Sequence, residues 1–140
     1  MEANVLLCDF AEEVGGKLYI MGGGWSRLTK ARQPATMSLA VKLSIPWEEV
    51  EAVEKIEAYL VTSAGEPVEM QNEPVRVSGE LRPSKEHSAT PELPVDLTFA
   101  LRFEGLVLDP GVYTWRLEVN DQLLAAVPFL VLEPQQPSDT

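Results

Sequence analysis

The sequence predicts an all-β protein, an antiparallel β-sandwich of immunoglobulin-like type. Four segments alternate apolar and polar residues with period two, the pattern of strands that bury one face and solvate the other. They are residues 36–45, 75–82, 95–104 and 113–119. Turn-forming residues separate such segments at roughly the 8–12-residue spacing that is typical of a sandwich. An eight-stranded barrel or a jelly roll is the architectural alternative.

The segment Leu108–Tyr113 favours the immunoglobulin-like type. It resembles a tyrosine corner, in which a Tyr at the start of a strand bonds its hydroxyl to backbone across a turn. The simpler interpretation is that Tyr113 is an inward-facing aromatic residue after a Pro-Gly turn.

The remaining strands carry weaker signals. Residues 5–11 and 17–21 form an expected hairpin around Gly15-Gly16, and both runs are apolar enough to be covered on both faces. Residues 56–62 and 123–132 are further strands, the last entered through a tight Asn120-Asp121 turn. Because proline lacks an N–H, Pro128 predicts an edge or a bulge in that strand.

One segment favours a helix. Pro46 and the acids after it predict one or two helical turns over residues 46–53. Four acids of this region are expected to form a solvated face. They are Glu48, Glu49, Glu51 and Glu54.

Length and composition predict one domain over residues 1–133 and a flexible tail over 134–140. The chain has 140 residues and Cys8 as its one cysteine, so no intramolecular disulfide forms. The start of the chain lacks a basic signal region, and no run approaches the roughly 20 apolar residues of a membrane span. We therefore expect a cytoplasmic protein.

The net charge of −11 predicts which partners the protein avoids. An acidic surface repels phosphate backbones and anionic membranes, and the sequence has no cluster of Lys and Arg. Nucleic acid and membrane are therefore excluded as expected partners. The charge itself is typical of a soluble surface.

The catalytic inventory is poor, so we expect neither an enzyme nor a cofactor. His87 is the one histidine and lies in the loop 83–94, which leaves no multi-histidine metal site. Cys8 as a nucleophile with His87 as its base is the alternative, but Cys8 lies in an apolar strand, where a thiol is usually an inert buried group. The acids that a calcium loop would need are too scattered. They are Asp96, Asp109 and Asp121.

The candidate interaction residues are Gly22, Gly23, Gly24, Trp25 and Trp47. Consecutive glycines can cradle an anion, but a bulge or a close backbone approach is the favoured interpretation here. Trp25 then either covers the glycine surface or stands exposed as a contact anchor. Asp9, inside an apolar strand, either faces water or accepts bonds from a neighbouring loop.

Three separated stretches resemble one family. VLLCDFAEEVGGKLYIMGGGW at the start, PW at residues 46 and 47, and LDPGVYTWRLEVND near the end are similar to DUF6941, a family of small uncharacterised bacterial proteins. The resemblance implies a bacterial cytosolic protein and supplies no catalytic residues.

These observations together predict a non-enzymatic protein-interaction module whose partner is another protein or a second copy of the chain. A sandwich leaves strand edges that are ready pairing surfaces. The alternative is a small-ligand binder with its pocket between the sheets or beside Trp25 and Trp47. An enzyme that uses carboxylates alone is the less favoured third class.

Overall fold

The computed structural model describes residues 1–29, 34–50, 52–88 and 90–133. The predicted tail over 134–140 lies outside these residues. The strands are β1 (Glu2–Val14), β2 (Lys17–Gly23), β3 (Arg27–Thr29), β4 (Ala35–Ile45), β5 (Glu54–Thr62), β6 (Glu69–Met70), β7 (Glu73–Pro74), β8 (Arg76–Leu81), β9 (Val95–Leu106), β10 (Gly111–Val119) and β11 (Gln122–Leu132). Short 3-10 turns span Trp47–Glu49 and Lys85–His87. The helical segment predicted over residues 46–53 is thus a single 3-10 turn.

Two sheets form the sandwich, and they confirm the predicted fold class. The first has the order β2-β1-β4-β9 and the second β3-β11-β10-β5-β8, with β6 and β7 as a separate small ribbon. Neighbouring strands are antiparallel except β3, which runs parallel to β11. The chain therefore starts in one sheet and crosses through β3 to the edge of the other, as immunoglobulin-like chains do.

The core lies between the inner faces of the two sheets. Its centre is Trp115 of β10, whose ring lies 4.2 Å from that of Phe103 of β9. The indole Nε1 of Trp115 donates to Met37 Sδ at 3.3 Å across the two sheets. Alternate residues of β4 complete this layer, as the period-two pattern predicts. They are Met37, Leu39, Val41, Leu43 and Ile45, all buried.

The tyrosine corner is present. The hydroxyl of Tyr113 donates to the backbone carbonyl of Asp109 at 2.8 Å. The Tyr113 ring stacks on Phe129 at 5.8 Å between centroids. The bond fixes the entry of the chain into β10, the role that this motif has in immunoglobulin-like sandwiches.

The β10–β11 hairpin turns at Asn120 and Asp121, as predicted. Their φ values of 50° and 65° are those of a type I′ turn. Pro128 lies opposite Thr114, in a stretch of β11 that β3 does not reach, because β3 pairs only with residues 130–132. The edge position predicted for this proline is therefore confirmed.

Asn120 also binds β5, the neighbouring strand. Its side chain accepts from the Lys55 N–H at 2.9 Å, and its own N–H donates to the Lys55 carbonyl at 2.8 Å. Its Nδ2 donates to Glu54 Oε2. Glu54 is 0% exposed. The prediction that Glu54 belongs to a solvated face is wrong: it is the first residue of β5, and alternation along that strand directs it inward with Ile56. Glu48 and Glu49 are exposed, and Glu51 lies outside the described residues.

Candidate interaction surface

The β1–β2 hairpin folds over the outer face of its own sheet. β2 contacts β9, although β1 and β4 separate these strands in the sheet order. The hairpin tip at Gly15 and Gly16 shares a surface depression with residues 96–98 of β9. A second, small core therefore forms outside the sandwich. It consists of Cys8, Ala11 and Ala40, with Leu18 and Ala100 against them.

Glycines shape this hairpin at its tip and at its base. Gly15 and Gly16 have φ values of 60° and 79°, a type I′ turn that only glycine adopts without cost. At the base, Gly22 has φ of 61°. A Cβ on Gly22 would lie 2.2 Å from Asp9 Oδ2, so the bare glycine makes room for that carboxylate.

The expected bulge at these glycines is not seen in the strand pairing. The register runs from Val14↔Lys17 to Cys8↔Gly23 without a shift. The structure instead shows the other predicted feature, a close approach to the glycine backbone. The Asp9 side chain covers Gly22, and the Leu6 side chain lies over Gly23. An anion in this position would meet the Asp9 carboxylate, which makes the phosphate-cradle alternative unfavourable.

The outward side of the hairpin exposes four apolar side chains beside two charged ones. Cross-strand pairs place Phe10 beside Met21, Tyr19 beside Glu12 and Val14 beside Lys17, all on this side. The exposed fractions are 68% for Met21, 55% for Tyr19 and 51% for Val14. We call these four side chains, Phe10, Val14, Tyr19 and Met21, the hairpin face. The prediction that Lys17–Met21 is covered on both sides is wrong: one side of β2 meets the outer core through Leu18, and the other side faces solvent.

Trp25 neither covers the glycines nor stands exposed. It is partly buried and packs edge-on against Phe129, with ring centroids 6.0 Å apart. Its indole Nε1 is buried and has no hydrogen-bond acceptor among the described residues. Trp25 therefore closes one end of the main core, which removes it as a contact anchor.

Trp47 lies elsewhere and is also partly covered. It begins the 3-10 turn Trp47–Glu49, and Lys85 Nζ lies 5.3 Å from its ring centre. This is a cation–π contact across two loops. The structure does not bring Trp25 and Trp47 together into one site.

Cys8 has the character that the sequence predicts. The thiol is buried under the hairpin and donates to the Ser38 carbonyl at 3.4 Å. Burial, followed by the nearby Asp9 carboxylate, raises the pKa of Cys8. A thiol in this state carries little of the thiolate that nucleophilic chemistry needs. The side chain of His87, its conceivable base, lies outside the described part of the structure.

Two clefts lined by described residues are candidate pockets, and neither includes Trp25 or Trp47. An apolar groove of about 550 Å³ runs between the hairpin and β11. We call it the β11 groove; its walls include Leu6, Leu18, Ile20, Leu124 and Val127. A cleft of about 340 Å³ on the second sheet is acidic instead, lined by Glu57, Glu80, Glu118 and Asp121 with Lys55.

Three of the four acids of that cleft already have partners. Glu57 Oε1 lies 3.7 Å from Arg76 Nε, and Glu80 Oε2 lies 3.6 Å from Arg82 Nη2. A hydrogen bond to Glu118 is the main cause that raises the pKa of Tyr59 beside it. Across the described ranges, no three His, Cys, Asp or Glu side chains are placed to hold a metal ion.

The hairpin face is what reasoning from the sequence missed. The signal was present, since the apolar residues of β1 and β2 fall on both sides of each strand. We expected a second cover from the rest of the protein. The hairpin is itself the outermost layer over the first sheet, so the side that packs on β4 and β9 is covered and the other side faces solvent.

The protein is thus an immunoglobulin-like β-sandwich in which a β-hairpin with exposed apolar side chains covers the outer face of the first sheet. The chain belongs to DUF6941, a family of unknown function, whose match covers residues 4–132. This confirms the resemblance seen in the sequence. No curated protein matches the chain.

Among solved structures, the chain is similar to a beta-glucosidase from Listeria innocua, determined in complex with glucose. The identity is 10% and the TM-score 0.48, over 93% of this chain and 16% of that one. Within the described residues, no helix has the length and apolar character to cross a bilayer.

Proposed function

We propose that the protein is a non-enzymatic, cytoplasmic interaction module whose hairpin face binds another protein. The observation that carries the proposal is that four apolar side chains lie exposed on the outward side of the β1–β2 hairpin. The hairpin has its own small core beneath it. The hairpin face therefore lies on a packed element of the fold and not on an unpacked loop.

The size and composition of the face fit protein recognition. From the exposed fractions, its four side chains present on the order of 400 Å² of surface, within the ~300–600 Å² of the largest apolar patches on monomers, which are often functional. Tyr and Phe are favoured interface anchors, and Met adapts to differently shaped partners. Arg102 lies over the Phe10 ring at 5.9 Å and is paired with Glu104 at 2.8 Å, so the border of the face beside Phe10 is polar.

A photo-crosslinking experiment tests this proposal. A benzophenone amino acid replaces Tyr19, and in a matched control it replaces Val112, an exposed apolar residue of β10 in the opposite sheet. After irradiation in the native cell, we expect discrete polypeptide adducts from position 19 and none from position 112. If position 19 forms no adduct that position 112 lacks, the hairpin face does not contact a protein.

A second candidate function has its own observation, the β11 groove. A volume of about 550 Å³ with mostly apolar walls is in the range of small-molecule sites. Lys42 lies at this groove with its Nζ 3.7 Å from Asp96 Oδ2, so an acidic end of such a ligand would compete with that carboxylate. Native mass spectrometry of the freshly purified protein tests this function. A retained mass that Leu124→Trp displaces would support it, and the bare chain mass alone would count against it.

A further inference from the structure

We infer that β8, the outer strand of the second sheet, pairs antiparallel with β8 of a second copy of this chain. The inference goes beyond the proposed function, because it concerns an edge of the opposite sheet and not the hairpin face. It follows from the exposure of this edge, from the direction of its open backbone groups, and from one register in which its charges match under a two-fold axis.

The second edge of β8 is open to solvent. β8 pairs with β5, and no other described strand lies beyond it. Residues 76–80 are all exposed. Natural edges are commonly protected by proline or a bulge, as Pro128 protects the uncovered part of β11. β8 contains no proline and pairs with β5 without a bulge, so it has neither protection.

The backbone groups of β8 that face this edge follow from the hydrogen bonds of its neighbour. The N–H of Leu60 donates to the carbonyl of Val75, so the even-numbered residues of β5 face β8. The carbonyl of Lys55, an odd-numbered residue, accepts from the β10–β11 turn on the other side, as alternation requires. The even-numbered residues of β5 pair with odd-numbered residues of β8. The open N–H and C=O groups of β8 therefore belong to Arg76, Ser78 and Glu80.

One register matches all of these groups. With Ser78 opposite Ser78 of the other copy, Arg76 lies opposite Glu80, and each open N–H meets an open carbonyl. A shift by two residues in one direction sets Arg76 opposite Arg82, which is a pair of like charges. The same shift in the other direction sets Glu80 opposite Pro74, which has no N–H. The matched register forms every contact twice, so the interface is isologous.

The two charges in this register project from the same face of the sheet. Arg76 and Glu80 are separated by an even number of positions in a regular strand. Directly opposite residues of this kind lie about 5.5 Å apart between Cα atoms, within reach of a salt bridge. The side chains of Arg76 and Glu80 are 51% and 52% exposed. Their contacts with Glu57 at 3.7 Å and Arg82 at 3.6 Å are surface ion pairs, which contribute little, so both charges can bind a second copy.

The inner face of β8 brings an apolar side chain under cover in the same register. Val77 is 36% exposed and lies opposite Gly79 of the other copy. A Cβ on Gly79 would meet Ile56 at 3.9 Å, and Gly79 has no positive φ, so its own chain does not require a glycine here. A glycine within a strand leaves room where another strand approaches. The paired strand has only six residues in each copy, so we expect a weak, reversible dimer.

A charge exchange tests the inference. Arg76→Glu sets like charges opposite each other at both ends of the paired strands, and Glu80→Arg does the same. An equimolar mixture of the two variants restores opposite charges at both ends. Sedimentation velocity from about 10 μM to about 1 mM should show a reversible wild-type dimer, association at least about 10-fold weaker in each variant alone, and recovery in the mixture.

Two further variants separate pairing from folding and from net charge. Ser78→Pro removes an N–H that faces the open edge, so the pairing with β5 stays intact and self-association is lost. Glu66→Arg changes the net charge as much as Glu80→Arg does, but it lies in the exposed loop after β5 and should dimerise as the wild-type chain does. Circular dichroism and thermal unfolding establish that each variant is folded, and if Ser78→Pro is not, the charge exchange decides alone.

Three results overturn the inference. They are a wild-type chain that stays monomeric over the whole concentration range, a mixture that associates no more tightly than its separate variants, and a folded Ser78→Pro chain that still dimerises. A benzophenone at position 80 identifies any other occupant. If it captures only a different polypeptide in the native cell, the β8 edge serves that partner and not a second copy.

Discussion

Asn120 joins the β10–β11 turn to a buried carboxyl group, and its replacement gives the sharpest stability prediction. Asn120→Gly keeps the positive φ of the turn, 50°, without strain and removes only the side chain. Two hydrogen bonds are lost, one to the Lys55 N–H and one to Glu54. Water can replace the bond to Lys55, but Glu54 is 0% exposed and its Oε1 already has no hydrogen-bond partner among the described residues, so Oε2 then loses its partner as well.

The magnitude follows from that difference. A hydrogen bond lost at the surface costs about 1 kcal/mol, and a buried polar group left unsatisfied costs about 1–3 kcal/mol. We therefore expect Asn120→Gly to lower the free energy of unfolding by about 2–4 kcal/mol, measured by urea denaturation. The control is Asp121→Gly, the neighbouring turn residue with φ of 65°, which should change stability by less than about 0.5 kcal/mol.

A double-mutant cycle isolates the contact itself. In a Glu54→Met background no carboxyl remains to be orphaned, so Asn120→Gly should cost about 1–3 kcal/mol less than in the wild-type chain. A coupling free energy below about 0.5 kcal/mol would refute the reasoning, because residues in one buried hydrogen-bond pair should not behave as independent sites.

Three further predictions concern the hairpin and its surroundings. Trp25→Ala should lower the free energy of unfolding by about 3–5 kcal/mol in urea, as loss of a core aromatic does; an unchanged midpoint would mean that Trp25 is not part of the core. Gly22→Ala should cost about 1–2 kcal/mol for its φ of 61° and more than Gly65→Ala, whose site is open at a similar φ. Equal losses of stability in Gly22→Ala and Gly65→Ala would show that the Asp9 side chain moves aside without an energetic cost. Because burial raises the pKa of Cys8 in the folded state, stability should be full below the unfolded pKa of about 8.5 and fall as pH rises above it. Cys8→Ala should flatten this alkaline decline, and an unaltered slope between pH 8 and 10 would contradict the assignment.

The strands could be predicted because the alternation of apolar and polar residues within each strand shows which of its faces is buried. In β4, the buried Met37, Leu39 and Val41 alternate with residues of the other face, and a period of two is visible without any knowledge of the neighbours. The turn at Asn120-Asp121 and the corner at Tyr113 were similarly local, since each depends on a few consecutive residues.

The errors concern what lies beyond the strand itself. The apolar residues of β2 predicted a strand that is buried on both faces. Nothing in its sequence shows that the hairpin bends back at Asp9 and Gly22 and itself covers the outer face of the sheet. Glu54 looked solvated beside three other acids, but the strand begins at this residue and alternation directs it inward. Trp25 looked like an anchor, yet its packing depends on Phe129, about a hundred positions away.

The thinness of the outer core has a consequence for how the molecule opens. Cys8, Ala11 and Ala40 are small, so little apolar area holds the β1–β2 hairpin against β4 compared with the large side chains around Trp115. The hairpin should therefore lift from the sheet at a lower free energy than the sandwich unfolds, as a local opening unit. Because the hairpin buries the Cys8 thiol, the rate at which a thiol reagent modifies Cys8 measures how often the hairpin opens. A protein bound to the hairpin face would slow the modification, so this single chemical rate would report both the opening of the hairpin and the occupancy of that face.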